Sequence, residues 1–121
     1  MRLIIAGGRD FFDYDLLEKE ALEFIGGNTP VIISGLARGA DTLACDFAAE
    51  YGYKLEGFAA EWKKDGYYDR SAGIKRNKIM AKNADHLLAF WDGKSKGTMQ
   101  MIDYATEKGL KVRVINYGNT H

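Results

Sequence analysis

Short apolar segments alternate with longer segments of helical periodicity along the whole chain of 121 residues. The apolar segments are rich in β-branched residues and bounded by turn formers, which is typical of buried strands. They read RLIIAG, PVIISG, YKLEGF, HLLAFW and LKVRVIN. The segments between them repeat apolar residues every three or four positions, which predicts amphipathic helices, and three of these segments end at glycine.

Strands that are joined through helices pair in parallel, with right-handed crossovers. We therefore predict an α/β fold: a three-layer Rossmann-like sandwich with a five-stranded parallel sheet. Numbering the strands along the chain, we expect the order 3-2-1-4-5, with the switch point between the first and fourth strands. The length suits one domain, so residues 1–121 are assigned to a single ligand-binding domain.

Two details of this prediction concern single segments. Residues 59–72, AAEWKKDGYYDRSA, show no clear period, and a loop of this length inside a domain is usually functional or mobile. The helical periodicity also assigns Tyr51, Ile79 and Thr106 to the inward faces of their helices.

The composition narrows the range of functions. Lys and Arg number 17 and so do Asp and Glu, so a uniformly basic surface for nucleic acid is not indicated. The single cysteine, Cys45, cannot form a disulfide within the chain, which fits a reducing compartment. The apolar N-terminal run is too short for a signal peptide, and no segment approaches the length of a membrane span. We expect a cytoplasmic protein that binds no membrane, no metal and no cofactor.

Glycines and basic residues follow the predicted strands at their carboxyl ends, where sheets of this kind bind ligands. Glycine permits close approach of the backbone, and helix N-termini and arginines attract phosphate. Each residue alone is compatible with a turn, a cap or a core position, but their common edge favours a phosphate site. The candidates are Gly7, Gly8, Arg9, Asp10, Ser34, Gly35, Arg38, Gly39, Trp62, Asp92, Gly93, Gly97 and Thr98.

The segments GGRDF, SGLARGAD, AGIKRNKIM and LLAFWDGKSKGT, in this order, resemble the SLOG superfamily, named for the Smf/DprA and LOG proteins, in its YspA-like branch. The resemblance covers nearly the whole chain. It implies a Rossmann-like domain that binds nucleotides, nucleotide-derived signals or nucleic acid and assembles as a homo-oligomer. It also implies a role for Arg76 and Asn77, which match an arginine–asparagine pair of the family, and a phosphate turn at Gly97 and Thr98.

One position departs from the LOG enzymes that this chain resembles. Those enzymes carry a glutamate three residues after the threonine, where this chain has Met101. We therefore predict first a module that binds or senses a nucleotide-derived small molecule, with a base stacked on an aromatic residue such as Trp62. The alternatives are hydrolysis of a nucleotide N-glycosidic bond, with Glu61, Asp10 or Asp92 as the acid, and binding of single-stranded DNA.

Overall fold

The computed structural model describes residues 1–118, which form seven strands and four helices. In chain order the elements are β1 (Arg2–Gly7), α1 (Tyr14–Ile25), β2 (Val31–Ser34), α2 (Ala40–Tyr51), β3 (Lys54–Gly57), β4 (Lys63–Lys64), β5 (Tyr67–Tyr68), α3 (Ala72–Lys82), β6 (His86–Trp91), α4 (Lys96–Glu107) and β7 (Lys111–Asn116). Among residues 1–118, none of the helices is long and apolar enough to cross a membrane.

Five strands form one parallel sheet in the order β3-β2-β1-β6-β7. The predicted fold class and strand order are confirmed, since β6 and β7 are the fourth and fifth strands of the prediction. In the register of the sheet, Ile4 on β1 lies between Ile33 on β2 and Leu87 on β6. The chain changes direction across the sheet between β1 and β6, as expected, and a crevice opens at such a point.

Side chains of the central strands are buried on both faces, as expected for a parallel sheet covered by helices. Leu3 and Ile5 point into a cluster with apolar residues of α1 and α2. Ile4 and Ala6 point into the opposite cluster, which α3 and α4 close. Because successive residues of a strand face opposite sides, the one strand β1 supplies both cores.

The segment 59–72 contains a small hairpin that the lack of periodicity did not predict. β4 and β5 pair antiparallel, with Lys63 opposite Tyr68 and Lys64 opposite Tyr67. Asp65 and Gly66 between them both have positive φ, 54° and 82°, the conformation of a type I′ turn. The dipeptide Asp-Gly is a strong short-range signal for such a turn, so the sequence did contain the information.

Three side chains that the periodicity assigned inward lie at the surface. Tyr51 ends α2, and its hydroxyl donates a hydrogen bond to Glu18 of α1 at 2.7 Å. Ile79 is 49% exposed because its neighbour Met80 fills the core position of α3. Thr106 is exposed and donates its hydroxyl proton to the carbonyl of Ile102. The repeat of apolar residues therefore predicts where a helix lies more reliably than it predicts which residues border the buried face of that helix.

Candidate functional site

A cleft of about 630 Å³ opens beyond the carboxyl ends of β1 and β6. Its walls come from the loop after β1, the start of α2, the segment around the hairpin, α3 and the start of α4. Most of the candidate residues line it, namely Gly7, Gly8, Arg9, Asp10, Arg38, Trp62, Arg76, Asn77, Asp92, Gly97 and Thr98. Loops from distant parts of the chain therefore meet in one space, at the switch point of the sheet.

Four candidates lie outside this lining, and two of them organise the turn after β2. Ser34 is fully buried, donates its hydroxyl proton to the carbonyl of Asp41 at 2.9 Å and accepts the amide proton of Leu36 at 3.1 Å. Gly35 lies against the guanidinium of Arg76, and a Cβ there would be 2.7 Å from Nη1. Ser34 and Gly35 therefore contact the lining residues Asp41 and Arg76 without lining the cleft themselves.

The other two candidates outside the lining are glycines with positive φ. Gly39 precedes α2 with φ 79°, and its neighbour Ala40 donates its amide proton to the carbonyl of Gly8 at 3.2 Å. A Cβ on Gly39 would lie 2.3 Å from that carbonyl oxygen, so only glycine lets the two loops touch. Gly93 is exposed, with φ 83°, in the turn after β6.

The arginines of the chain divide into two groups. Arg2 forms two hydrogen bonds with Glu56, at 3.0 and 2.6 Å, and Arg113 lies 3.6 Å from Glu20 and 3.8 Å from Glu23. The other four line the cleft, and none has a direct ion pair with a carboxylate within residues 1–118. These four are Arg9, Arg38, Arg70 and Arg76. In a chain with no net charge, the guanidinium groups without a direct ion pair are therefore concentrated at one place.

Arg76 is the most firmly held of the four. Its Nη1 donates to the carbonyl of Gly35 at 2.6 Å and its Nε to Oδ1 of Asn77 at 2.9 Å. The Asn77 amide in turn donates to the carbonyl of Gly97 at 3.4 Å. Burial lowers the pKa of the Arg76 guanidinium, although Asp41 opposes that effect. The arginine–asparagine pair thus ties α3 to the turn after β2 and to the start of α4.

Asp41, in the first turn of α2, places a buried carboxylate in the lining of the cleft. It is 6% exposed, and its Oδ2 accepts the amide proton of Ala37 at 3.2 Å. Burial raises its pKa to about 6, against the opposite influence of that amide, Arg76 and Arg9. An acid in the first turn of a helix is ordinary, so no signal in the sequence singled out this residue.

The start of α4 forms another wall. The helix begins at Lys96, and Ser95 is its cap and accepts the amide proton of Thr98 at 3.4 Å. Asp92 accepts the amide protons of Ser95 and Lys94, both at 2.8 Å, and these hydrogen bonds lower its pKa. A Cβ on Gly97 would touch nothing, so the first turn of α4 is open on the cleft side.

The hairpin segment brings an aromatic surface to the cleft. Trp62 is half-buried in the lining, and its ring is stacked with that of Tyr68, with centroids 6.0 Å apart and an angle of 15°. Arg70 lies two residues after the hairpin, also lines the cleft, and belongs to no motif that would single it out. Met101 also lines the cleft and is 1% exposed.

These features define a Rossmann-like α/β domain with an arginine-rich cleft at the carboxyl edge of its sheet. A family model described as YAcAr, the YspA, cpYpsA-related SLOG family, matches residues 1–64, more than half of the chain. The chain therefore belongs to this SLOG family. No curated protein is similar enough in sequence to be counted as a relative.

Two solved structures share the fold. DNA processing protein A (DprA) from Streptococcus pneumoniae superposes with a TM-score of 0.76 and 20% identity, over 98% of this chain and 50% of that one. DprA from Helicobacter pylori, a structure that addresses its single-stranded DNA binding mode, gives a TM-score of 0.70 and 19% identity, over 98% and 67%. This chain thus spans half the length of the pneumococcal protein. At such identities the likeness shows the fold alone.

Proposed function

We propose that the cleft binds a nucleotide or a nucleotide-derived small molecule, and that the protein acts as a binding or sensing module. The observation that carries this proposal is the segregation of the arginines: the two outside the cleft are paired with glutamates, and the four in its lining are not. Charge-assisted hydrogen bonds from guanidinium groups to phosphate are among the strong polar interactions of proteins. Membership of a SLOG family agrees with this assignment.

The phosphates would lie between the arginines and the open first turn of α4. Gly7 and Gly8 contribute backbone to one wall, packed closely against Phe90 and Tyr117, and Gly97 leaves open space on the opposite wall. The base would stack on Trp62, whose ring Tyr68 already holds in a parallel arrangement. The hydrolase alternative is less well supported, because Met101 stands in the lining where the LOG enzymes carry a glutamate. Of its candidate acids, Glu61 lies outside the lining, whereas Asp10 and Asp92 belong to it.

Single-stranded DNA is the second candidate ligand. The Helicobacter pylori structure concerns such binding, and Trp62, Arg70 and Tyr68 combine aromatic and basic groups in one segment. A cleft of this kind would hold a short stretch of the strand, because the basic residues outside it are balanced by acidic ones and form no excess of positive charge. Assembly as a homo-oligomer remains a prediction.

The test is a thermal-shift screen with nucleoside mono-, di- and triphosphates, cyclic nucleotides, NAD, ADP-ribose and an oligonucleotide. A ligand at a hundred times its dissociation constant adds about 2.7 kcal/mol to the free energy of unfolding, which raises the melting temperature clearly. Arg38→Ala should abolish or strongly reduce that shift. Arg113→Ala removes the same charge outside the cleft and should leave it unchanged.

Two results would count against the proposal. The first is the absence of a shift with every compound in the screen. The second is a shift of equal size in wild type and Arg38→Ala, which would place the ligand elsewhere. If a ligand is found, chromatography of the mixture separates a sensor, which leaves the compound intact, from a hydrolase, which releases the free base.

A further inference from the structure

A second cavity, of about 240 Å³, adjoins the cleft beyond the carboxyl ends of β2 and β3. Arg9, Ala37, Trp62 and Arg76 line both spaces and so form a shared wall. The function proposed above uses only the first space. A ligand that filled both the cleft and the second cavity would have to extend along these four shared residues.

The two spaces differ in chemistry. The cleft is lined by three aspartates as well as the four arginines. Apart from the shared wall, the second cavity is lined by Gly35, Leu36, Ala59 and Ala60, none of which carries a polar side chain. Such a lining favours an apolar or aromatic group over a second phosphate.

Leu36 shows that the apolar lining is a built feature. Its φ is 61°, a left-handed conformation that is costly for a leucine, and its side chain is 48% exposed. Gly57, at the end of β3, makes room for it, since a Cβ there would lie 2.7 Å from the leucine side chain. A strained, half-exposed leucine supported in this way supplies an apolar wall to a small cavity.

The shared wall has the opposite character. Arg9 has no direct ion pair within residues 1–118, and Arg76 is fixed by the carbonyl of Gly35. A group that passes between the two spaces therefore meets two guanidinium groups, which select an anion. The cleft alone already has a volume typical of a small-molecule site.

We propose, building on the function above, that the ligand consists of two nucleosides joined through phosphate. The first nucleoside occupies the cleft, the phosphate linkage lies at Arg9 and Arg76, and the base of the second nucleoside fills the cavity between Leu36 and Trp62. The same chemistry occurs in a free 5′–5′ dinucleotide and in two successive nucleotides of single-stranded DNA. The type of linkage distinguishes these two sources.

The experiment compares AMP, diadenosine diphosphate and the 3′–5′ deoxydinucleotide d(ApA) by isothermal titration calorimetry. At least one dinucleotide should bind about tenfold more tightly than AMP, the gain expected from one additional stacked base. Ala60→Phe fills the second cavity and should remove that gain while leaving the affinity for AMP unchanged. Which dinucleotide shows the gain identifies the source.

Leu36→Asn provides a second variant that keeps the backbone conformation, since asparagine tolerates a positive φ. It should also remove the gain, because it takes away the apolar wall. Ala49→Phe and Leu55→Asn are the matched controls: both positions are exposed and neither lines the cavity. Neither control should change any affinity.

Two outcomes would overturn this inference. One is equal affinity for AMP and both dinucleotides, which would leave the second cavity without a ligand. The other is a dinucleotide gain that survives both Ala60→Phe and Leu36→Asn. If none of the three compounds binds and the screen described above finds no ligand, the proposed function fails together with the inference, whereas binding of AMP without a dinucleotide gain rejects the inference alone.

Discussion

At the scale of single residues, the cleft sets a buried carboxyl among guanidinium groups without a close ion pair. Asp41 is almost completely buried, and the influence of Arg76 and Arg9 does not outweigh the loss of hydration. The folded protein therefore prefers the protonated form of this carboxyl more than the unfolded chain does. Acids whose pKa is raised by burial are enriched at binding and catalytic sites.

The substitution Asp41→Asn should change how stability depends on pH. The pKa of Asp41 is 3.8 unfolded and about 6 folded, so the stability associated with this group is complete below pH 4 and is lost as the pH rises through 6. The asparagine side chain keeps an acceptor for the Ala37 amide and cannot ionise. The gain in free energy of unfolding on going from wild type to the variant should therefore be larger at pH 7.5 than at pH 4, by about 2 kcal/mol.

Urea unfolding of both proteins at the two pH values measures this difference. Comparing wild type with the variant at both pH values cancels the pH effects of all other ionisable groups, because the two proteins share those groups. If wild type and Asp41→Asn differ in free energy of unfolding by the same amount at pH 4 and at pH 7.5, Asp41 titrates as an ordinary surface carboxyl. Asp103→Asn, at an exposed position on α4, serves as the control.

At the scale of elements, the site depends on how closely the loops at the ends of strands approach each other. Gly39 and Gly8 bring the start of α2 against the loop after β1, and the amide of Gly8 donates to the carbonyl of Phe90 on β6 at 3.1 Å. Ser95 caps α4 on the far side. The arginines converge because these backbone contacts hold their loops together.

Gly39→Ala should lower the free energy of unfolding by about 3 kcal/mol, since alanine is strained at this φ and its Cβ would meet the Gly8 carbonyl. Gly97→Ala is the matched change at the start of α4, where a Cβ has open space. It should stabilise the protein by about 0.5 kcal/mol through helix propensity. Chemical denaturation measures both. Equal effects of the two substitutions would contradict the contact between the loops.

At the scale of the whole molecule, charge is balanced overall, but paired and unpaired guanidinium groups lie in different places. Lysines and arginines equal aspartates and glutamates in number, yet four arginines without a directly paired carboxylate within residues 1–118 face one cleft. Outside the cleft basic and acidic residues balance each other, so a long polyanion would gain less there than a small anion gains from the arginines of the cleft.

This distribution limits how strongly salt can affect binding of single-stranded DNA. With four arginines in contact with phosphates, the logarithm of the association constant should fall with the logarithm of salt concentration with a slope no steeper than about −3. Fluorescence anisotropy of a labelled oligonucleotide at several salt concentrations measures the slope. A markedly steeper slope would require basic residues outside the cleft, or several copies of the chain on one strand.

The amino-acid pattern alone was enough to predict the layered α/β fold, the strand order and the edge of the sheet that carries the cleft. It could do so because the period of apolar residues is a local property, and parallel strands place their carboxyl ends together. Arg9, Arg38 and the glycine-rich turns followed from that reasoning alone. The hairpin turn at Asp65 and Gly66 also has a local signal, the dipeptide Asp-Gly, although the segment around it has no apolar period.

Which charges are paired became visible only in the folded chain. Arg76 and the carbonyl of Gly35 are 41 positions apart, and nothing local distinguishes an arginine beside a glutamate from one that faces a cleft. The raised pKa of Asp41 and the apolar cavity beside Leu36 have the same origin, since burial and enclosure depend on segments that meet only after folding. Local patterns specify elements, whereas the chemistry of the cleft depends on distances between them.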